Sequence, residues 1–202
     1  GQRLNGKIVA LAAPVVLGLW MLGAYNRLVR MRNTIATVFH AFAQQAQDRA
    51  AVVAAVLTLS RQLLPPDSPH AEAVAQAERE AASLLDAARL RPLDHEQMAR
   101  FAGSDHALGL ALSALCEALR DHVGYADTQS DPDLLHPVVT QLALLDDALT
   151  QTEFARMTYN LAAKDYNDAV RLFPTALVAA LFRFGLAALL PAVPRGVTDK
   201  RR

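Results

Sequence analysis

The sequence predicts an all-α protein: an N-terminal transmembrane helix continuing into a long-helix antiparallel bundle of about four helices, with a C-terminal apolar helix. Three observations carry this. Hydrophobic residues make up 52% of the 202-residue chain, led by alanine and leucine, with only nine glycines. That composition favours helix over strand. One uncharged run lies near the N-terminus. Apolar residues then recur at three-four spacing along two long stretches.

The uncharged run is Ile8 to Ala24, IVALAAPVVLGLWMLGA, 17 residues long. A spanning helix needs about 20, and Trp20 and Tyr25 extend the run with the amphipathic aromatics that favour an interface. Pro14 lies inside, as membrane helices tolerate. A cleaved secretory signal is the main rival, with Arg3 and Lys7 as its basic flank. Leu22, three residues before the cut that would follow Ala24, makes a poor cleavage site. A buried core helix is the third reading. No cysteine follows the run, which excludes a lipoprotein anchor, and a retained anchor is the favoured reading. Arg27, Arg30 and Arg32 outnumber Arg3 and Lys7, so the positive-inside rule puts the bundle in the cytoplasm.

Leu28, Met31, Ile35, Val38, Phe42, Ala46, Val53, Val56 and Leu63 form one stripe on a helix running directly out of the apolar segment. Pro65-Pro66-Asp67-Ser68-Pro69 ends it. His70 to Arg91 is a second helix, turning Val74, Ala81, Leu84, Leu85 and Ala88 inward. Asp94 can cap a short helix through Arg100, and Ser104 or Asp105 another that reaches Val123. Ala126 to Asp133 reads as a loop. Asp133 to Phe173 is the last long helix, with Pro137 in its first turn. Leu28 to Leu64 spans about 55 Å as helix and Asp133 to Phe173 about 60 Å. Stacked antiparallel, they return Phe173 to Tyr25. The units are therefore 1–24 (anchor), 25–173 (bundle), 174–193 (apolar helix at a membrane interface or in an oligomer contact) and 194–202 (basic tail). Packing of 174–193 as a core helix is the plainer alternative.

Two sets of residues stand out. Trp20, Tyr25, Leu177, Leu181, Phe182, Phe184 and Leu186 are candidates for membrane or oligomer contact. Asn26, Tyr159, Asn160, Tyr166, Asn167 and Phe173 are candidates for a bundle seam. Tyr159 and Tyr166 are seven apart, so they share one helix face about 10 Å apart. Packed tyrosines satisfied by asparagine or backbone are the plain reading. A polar seam between subunits, its register fixed by asparagine, is the functional one.

No chemistry is legible. Twenty basic and twenty acidic residues give zero formal charge, against the basic excess of a nucleic-acid binder. None of the glutamates has a histidine three residues on, as a di-iron bundle requires. There is no HExxH, phosphate loop or nucleophile elbow. Asp146-Asp147 and the scattered histidines read as solvated positions, and the lone Cys116 as a small buried residue. No catalytic, cofactor-binding or metal residue is assigned, and no cofactor is expected.

Tyr25-Asn26-Arg27-Leu28-Val29-Arg30-Met31-Arg32-Asn33, directly after the apolar run, resembles the LemA family. So does the run from Glu153: Arg156, Tyr159-Asn160, Ala163, Tyr166-Asn167, Ala169-Val170 and Phe173-Pro174, followed by Leu177-Val178-Ala179, Leu181-Phe182 and Phe184-Gly185. The resemblance covers both ends and leaves the middle unmatched. There, Gln47-Asp48-Arg49 precedes only alanine and valine, where the family is usually rich in lysine and aromatics. The resemblance implies an N-terminal anchor in a bacterial inner membrane with a four-helix bundle behind it. It implies no catalytic activity.

Two functions are expected from these readings. The first is a non-enzymatic, membrane-anchored structural protein that self-associates, with the bilayer and further copies of itself as partners, and organises or remodels membrane. Ala10, Ala12, Ala13, Gly18 and Gly23 allow the close helix approach this needs. The alternative is a membrane-tethered binding module for a signalling or regulatory protein partner, suggested by the short-helical middle from Leu63 to Asp133.

Overall fold

In the computed structural model, residues 2–126 and 132–192 are described, with side chains over 10–124 and 135–192. The expected basic tail 194–202 lies outside them, as does most of the loop expected before Asp133. All regular structure among the described residues is helical: α1 (Gln2–Leu63), α2 (His70–Leu90), α3 (His95–Ala126), α4 (Pro132–Arg171) and α5 (Thr175–Leu181). The order is up, down, up, down, so the first four make an antiparallel bundle.

The apolar run and the first bundle helix are one element. At 62 residues α1 is about 93 Å long, and it carries Pro14 without ending. Near its end the Leu64 N–H still donates to the Ser60 carbonyl at 2.8 Å, and the Pro65-Pro66 pair then removes the donors that would extend it. A four-residue turn joins α2 to α3, where the Asp94 carboxylate accepts the Gln97 N–H at 3.1 Å. That is the first-turn donor an N-cap satisfies.

The structure departs from the sequence reading in two places. Two helices were expected between Asp94 and Val123, and there is one. Met98, Phe101, Asp105, Leu108, Leu112, Leu115 and Leu119 form an unbroken buried stripe across the expected break. Ser104 and Asp105 are themselves buried, so tertiary packing overrides their capping tendency. Second, the helix expected over 174–193 stops at Leu181. Arg183, at φ 55°, adopts the left-handed conformation. The Phe184 N–H then donates to the Ala179 carbonyl and the Arg183 N–H to the Ala180 carbonyl, the paired bonds of a Schellman cap. Phe184 to Ala192 leaves as an extended strap.

Packing is unequal around the bundle. α1 lies mainly against α4, and α2 against α3, whereas α3 touches α4 only slightly. The core has two parts. Nearer the N-terminal apolar run, Phe39, Phe42, Phe101 and Tyr159 meet with ring centroids 5.7–6.2 Å apart, among Leu28, Ile35, Met98 and Tyr166. Farther out, Val53, Val56, Val74, Leu112, Leu115, Leu119 and Leu145 form an aliphatic cluster.

Candidate functional site

α1 projects beyond the bundle, and every residue from Ala10 to Leu19 is exposed. Leu11 is 73% exposed and Leu19 65%. This helix is long and apolar enough to cross a membrane, by length and composition. Where the projection enters the bundle, α5 lies beside it. The Tyr25 ring packs on Phe182 at 4.9 Å and on Phe184 at 5.6 Å, and the Arg32 guanidinium lies 5.1 Å over Phe184. Cation and ring attract at that range.

The residues singled out for membrane or oligomer contact therefore gather at one end of the molecule. Trp20 and Tyr25 are half-buried against the core, and Phe184 is buried. Leu177, Leu181, Phe182 and Leu186 are exposed, joined by Leu172 and Phe173. Together they make an apolar collar beside the root of the projecting helix. Monomeric soluble proteins seldom expose an apolar surface this continuous.

The seam residues divide. Asn26 and Phe173 are exposed, and within one chain they join no seam. The other four hold the strap. The Tyr166 hydroxyl donates to the Gly185 carbonyl at 2.8 Å and the Tyr159 hydroxyl to the Ala188 carbonyl at 2.7 Å. The Asn167 side chain takes both backbone groups of Ala187, at 2.7 and 2.9 Å. The Asn160 side chain does the same for Leu190, at 2.7 and 2.8 Å. Arg156, itself paired with Glu153, adds a bond to the Leu190 carbonyl at 3.0 Å.

Two periods match here. Seven helical residues separate the asparagines by about 10.5 Å, and three extended residues cover about 10 Å. The ladder thus supplies the backbone partners that a helix or sheet would otherwise provide. Desolvation pushes the Tyr159 phenol far above its ordinary pKa, and the Tyr166 phenol upward as well. Both stay neutral donors.

A further set was not singled out from the sequence. Arg49, Glu78, Asp105 and Arg156 come one from each bundle helix and occupy positions in the core stripes. They lie between the aromatic and aliphatic clusters, forming a charged layer across the core. Arg49 and Asp105 pair at 2.6 Å, with their side chains only 4% and 8% exposed. Burial pushes the Glu78 carboxyl above its ordinary value; Arg49 opposes this and Asp105 adds to it. The signal was present: the α1 stripe 42, 46, 53, 56 has a rung missing at 49. A search for apolar residues steps over it.

The LemA family model matches residues 39–196. The fold and this match define a helical-bundle protein with, among the described residues, one candidate membrane helix, and the chain belongs to the LemA family. The match covers the middle, where the sequence reading found no likeness. It begins after the Tyr25–Asn33 run and takes in the whole stretch from Glu153 to Gly185. No curated protein and no solved structure matches the chain.

Proposed function

We propose that this is a non-enzymatic structural protein, anchored by residues 8–24 in a bacterial inner membrane with its bundle on the cytoplasmic side. Copies associate at the bilayer surface and organise or remodel the membrane. The observation that carries this reading is the apolar end where the bare helix of α1 and the exposed residues of and around α5 stand together. Burial of a large apolar side chain contributes about 1.5–3 kcal/mol, so a collar of six exposed ones strongly favours a covered state. Lipid can cover the projecting helix all round. The collar, beside its root, suits the interface or a neighbouring copy in the same orientation. The small residues of the helix allow neighbouring helices to approach.

The test is assembly. Protein extracted in mild detergents with its own lipids should run as a homo-oligomer by light scattering, and paired Leu177→Gln and Leu181→Gln changes should shift it toward monomer. A monomer in every mild detergent sinks the reading.

A second reading, a membrane-tethered binding module, is favoured by the gap between α3 and α4. It predicts a partner held at that face and lost when the gap is altered.

A further inference from the structure

The arginines at the apolar end converge from both ends of the chain. Arg27 and Arg30 follow the apolar run, as the basic flank of a membrane helix does. Arg171 ends α4 and Arg183 lies just past α5. Arg32 of α1 stands near enough to Tyr166 of α4 to oppose the rise in its pKa. From such a point antiparallel helices advance together, at about 1.5 Å per residue. Five residues on, Arg27 and Arg171 are level, about half a turn inside Tyr25. Arg183 falls between Phe182 and Phe184, the two rings packed on Tyr25. All four arginines are exposed. Among the described residues none of them joins an ion pair.

Carboxylates are missing from this level. Residues 20–33 and 169–187 hold five arginines, counting Arg32 over Phe184, and no aspartate or glutamate. Asp168, three residues before Arg171, is the nearest acid in the sequence of α4. Five arginines less that one aspartate still leave a formal charge of +4. The whole chain is neutral, so the basic excess belongs to the apolar end. A second copy in the same orientation would set arginine against arginine, which is unfavourable unless anions lie between. Phospholipid headgroups are anions held beside hydrocarbon, and they meet the arginines and the collar at once.

The length of the apolar run points the same way. Ile8 to Ala24 measures about 25 Å as helix, against a hydrocarbon core of about 30 Å. Bringing Tyr25 and the collar to the acyl boundary makes up the difference, at the depth where interfacial helices lie.

We propose that this end docks on anionic phospholipid, the collar at the acyl boundary and Arg27, Arg30, Arg171 and Arg183 on headgroup phosphates. This rests on the membrane-anchor reading and names the lipid class that the anchored end selects. Each arginine near an anionic surface favours the docked state by about fivefold.

The test reconstitutes the full chain into vesicles of phosphatidylcholine, alone or mixed with phosphatidylglycerol, their acyl chains brominated near the headgroup. Trp20 is the only tryptophan, so Trp20→Phe with Leu181→Trp places a single reporter in the collar. Flotation reads the anchor, and quenching of the reporter reads the collar. The expected result is flotation with both vesicles and stronger quenching in the mixed ones. That excess should vanish at about 1 M salt, where the Debye length is about 3 Å. Adding Arg171→Gln and Arg183→Gln leaves intact the flank that orients the anchor. The pair should weaken docking by about 25-fold, float as before and, being exposed, melt like the parent.

Equal quenching in the two vesicles overturns the proposal while the anchor stands, as does undiminished quenching in the arginine variant. Quenching that follows the protein-to-lipid ratio and ignores lipid charge would put a second copy on the collar and overturn the lipid. Failure to float with either vesicle overturns the anchor, and the proposal with it.

Discussion

Arg49 and Asp105 carry opposite charges at a point where both neighbouring layers are apolar. A pair so deeply buried costs a great deal to strip of water, and only the partner and its hydrogen bonds offset that cost. Removing one side is therefore worse than removing both. Asp105→Ala should destabilise the bundle by about 3–5 kcal/mol, read from denaturant midpoints, whereas Arg49→Met with Asp105→Leu should cost much less. Equal losses would show that the pair is not acting as a pair. Glu78 gives a pH signature. Its raised pKa means the folded chain holds that proton more tightly than the unfolded chain does. Its stabilising contribution is complete below the ordinary carboxylate pKa and is lost as pH rises through the raised value. Glu78→Gln removes this loss, so the melting temperature of the variant should gain on the native protein from acid to neutral pH. At this scale the sequence is least legible. Apolar periodicity locates the stripe but has no way to mark which polar residue shares it, because burial of a charge depends on a partner more than fifty residues away.

The strap is an element without regular structure of its own, held by side chains of α4. Asn167→Ala would leave both backbone groups of Ala187 without their partner. An unmade bond to a buried group costs about 1–3 kcal/mol. Asn167→Asp sets a carboxylate oxygen against the Ala187 carbonyl in a buried place, so at neutral pH it should cost at least as much as alanine. Amide exchange over 184–192 should speed up in Asn160→Ala and Asn167→Ala while the α1 core stays protected. Unchanged exchange in both would mean that apolar contacts alone hold the strap. The Tyr-Asn pairs were legible as a repeating face on α4, but their occupant was not. Residues 174–193 are apolar and alanine-rich, and an apolar run alone does not separate a packed helix from an extended segment. The decisive event is the left-handed turn at Arg183, where glycine is the usual marker and this chain offers none. The same blindness joined α3: Ser104 and Asp105 have capping chemistry, and only the surrounding core shows them buried in mid-helix.

Over the whole molecule, the long helices and the return of the chain to Tyr25 were legible because they depend on length and period alone. Thirty-seven uninterrupted residues from Leu28 to Leu64 and a matching final helix leave little choice but to stack. The unequal packing was not legible, since it depends on which stripes are widest once four helices meet. That inequality opens the cleft between α3 and α4 and leaves α1 and α4 as the rigid spine. α1 has neither glycine nor proline between Tyr25 and Leu63, and it runs helical throughout. From Tyr25 onward α1 is one rod, without a glycine or proline to absorb a change of angle. Those residues measure about 58 Å, so a tilt of the rod at Tyr25 by about 10° swings the far turn sideways by about 10 Å. The molecule is in this respect a lever, with its fulcrum at the Tyr25 collar and its long arm at Leu63.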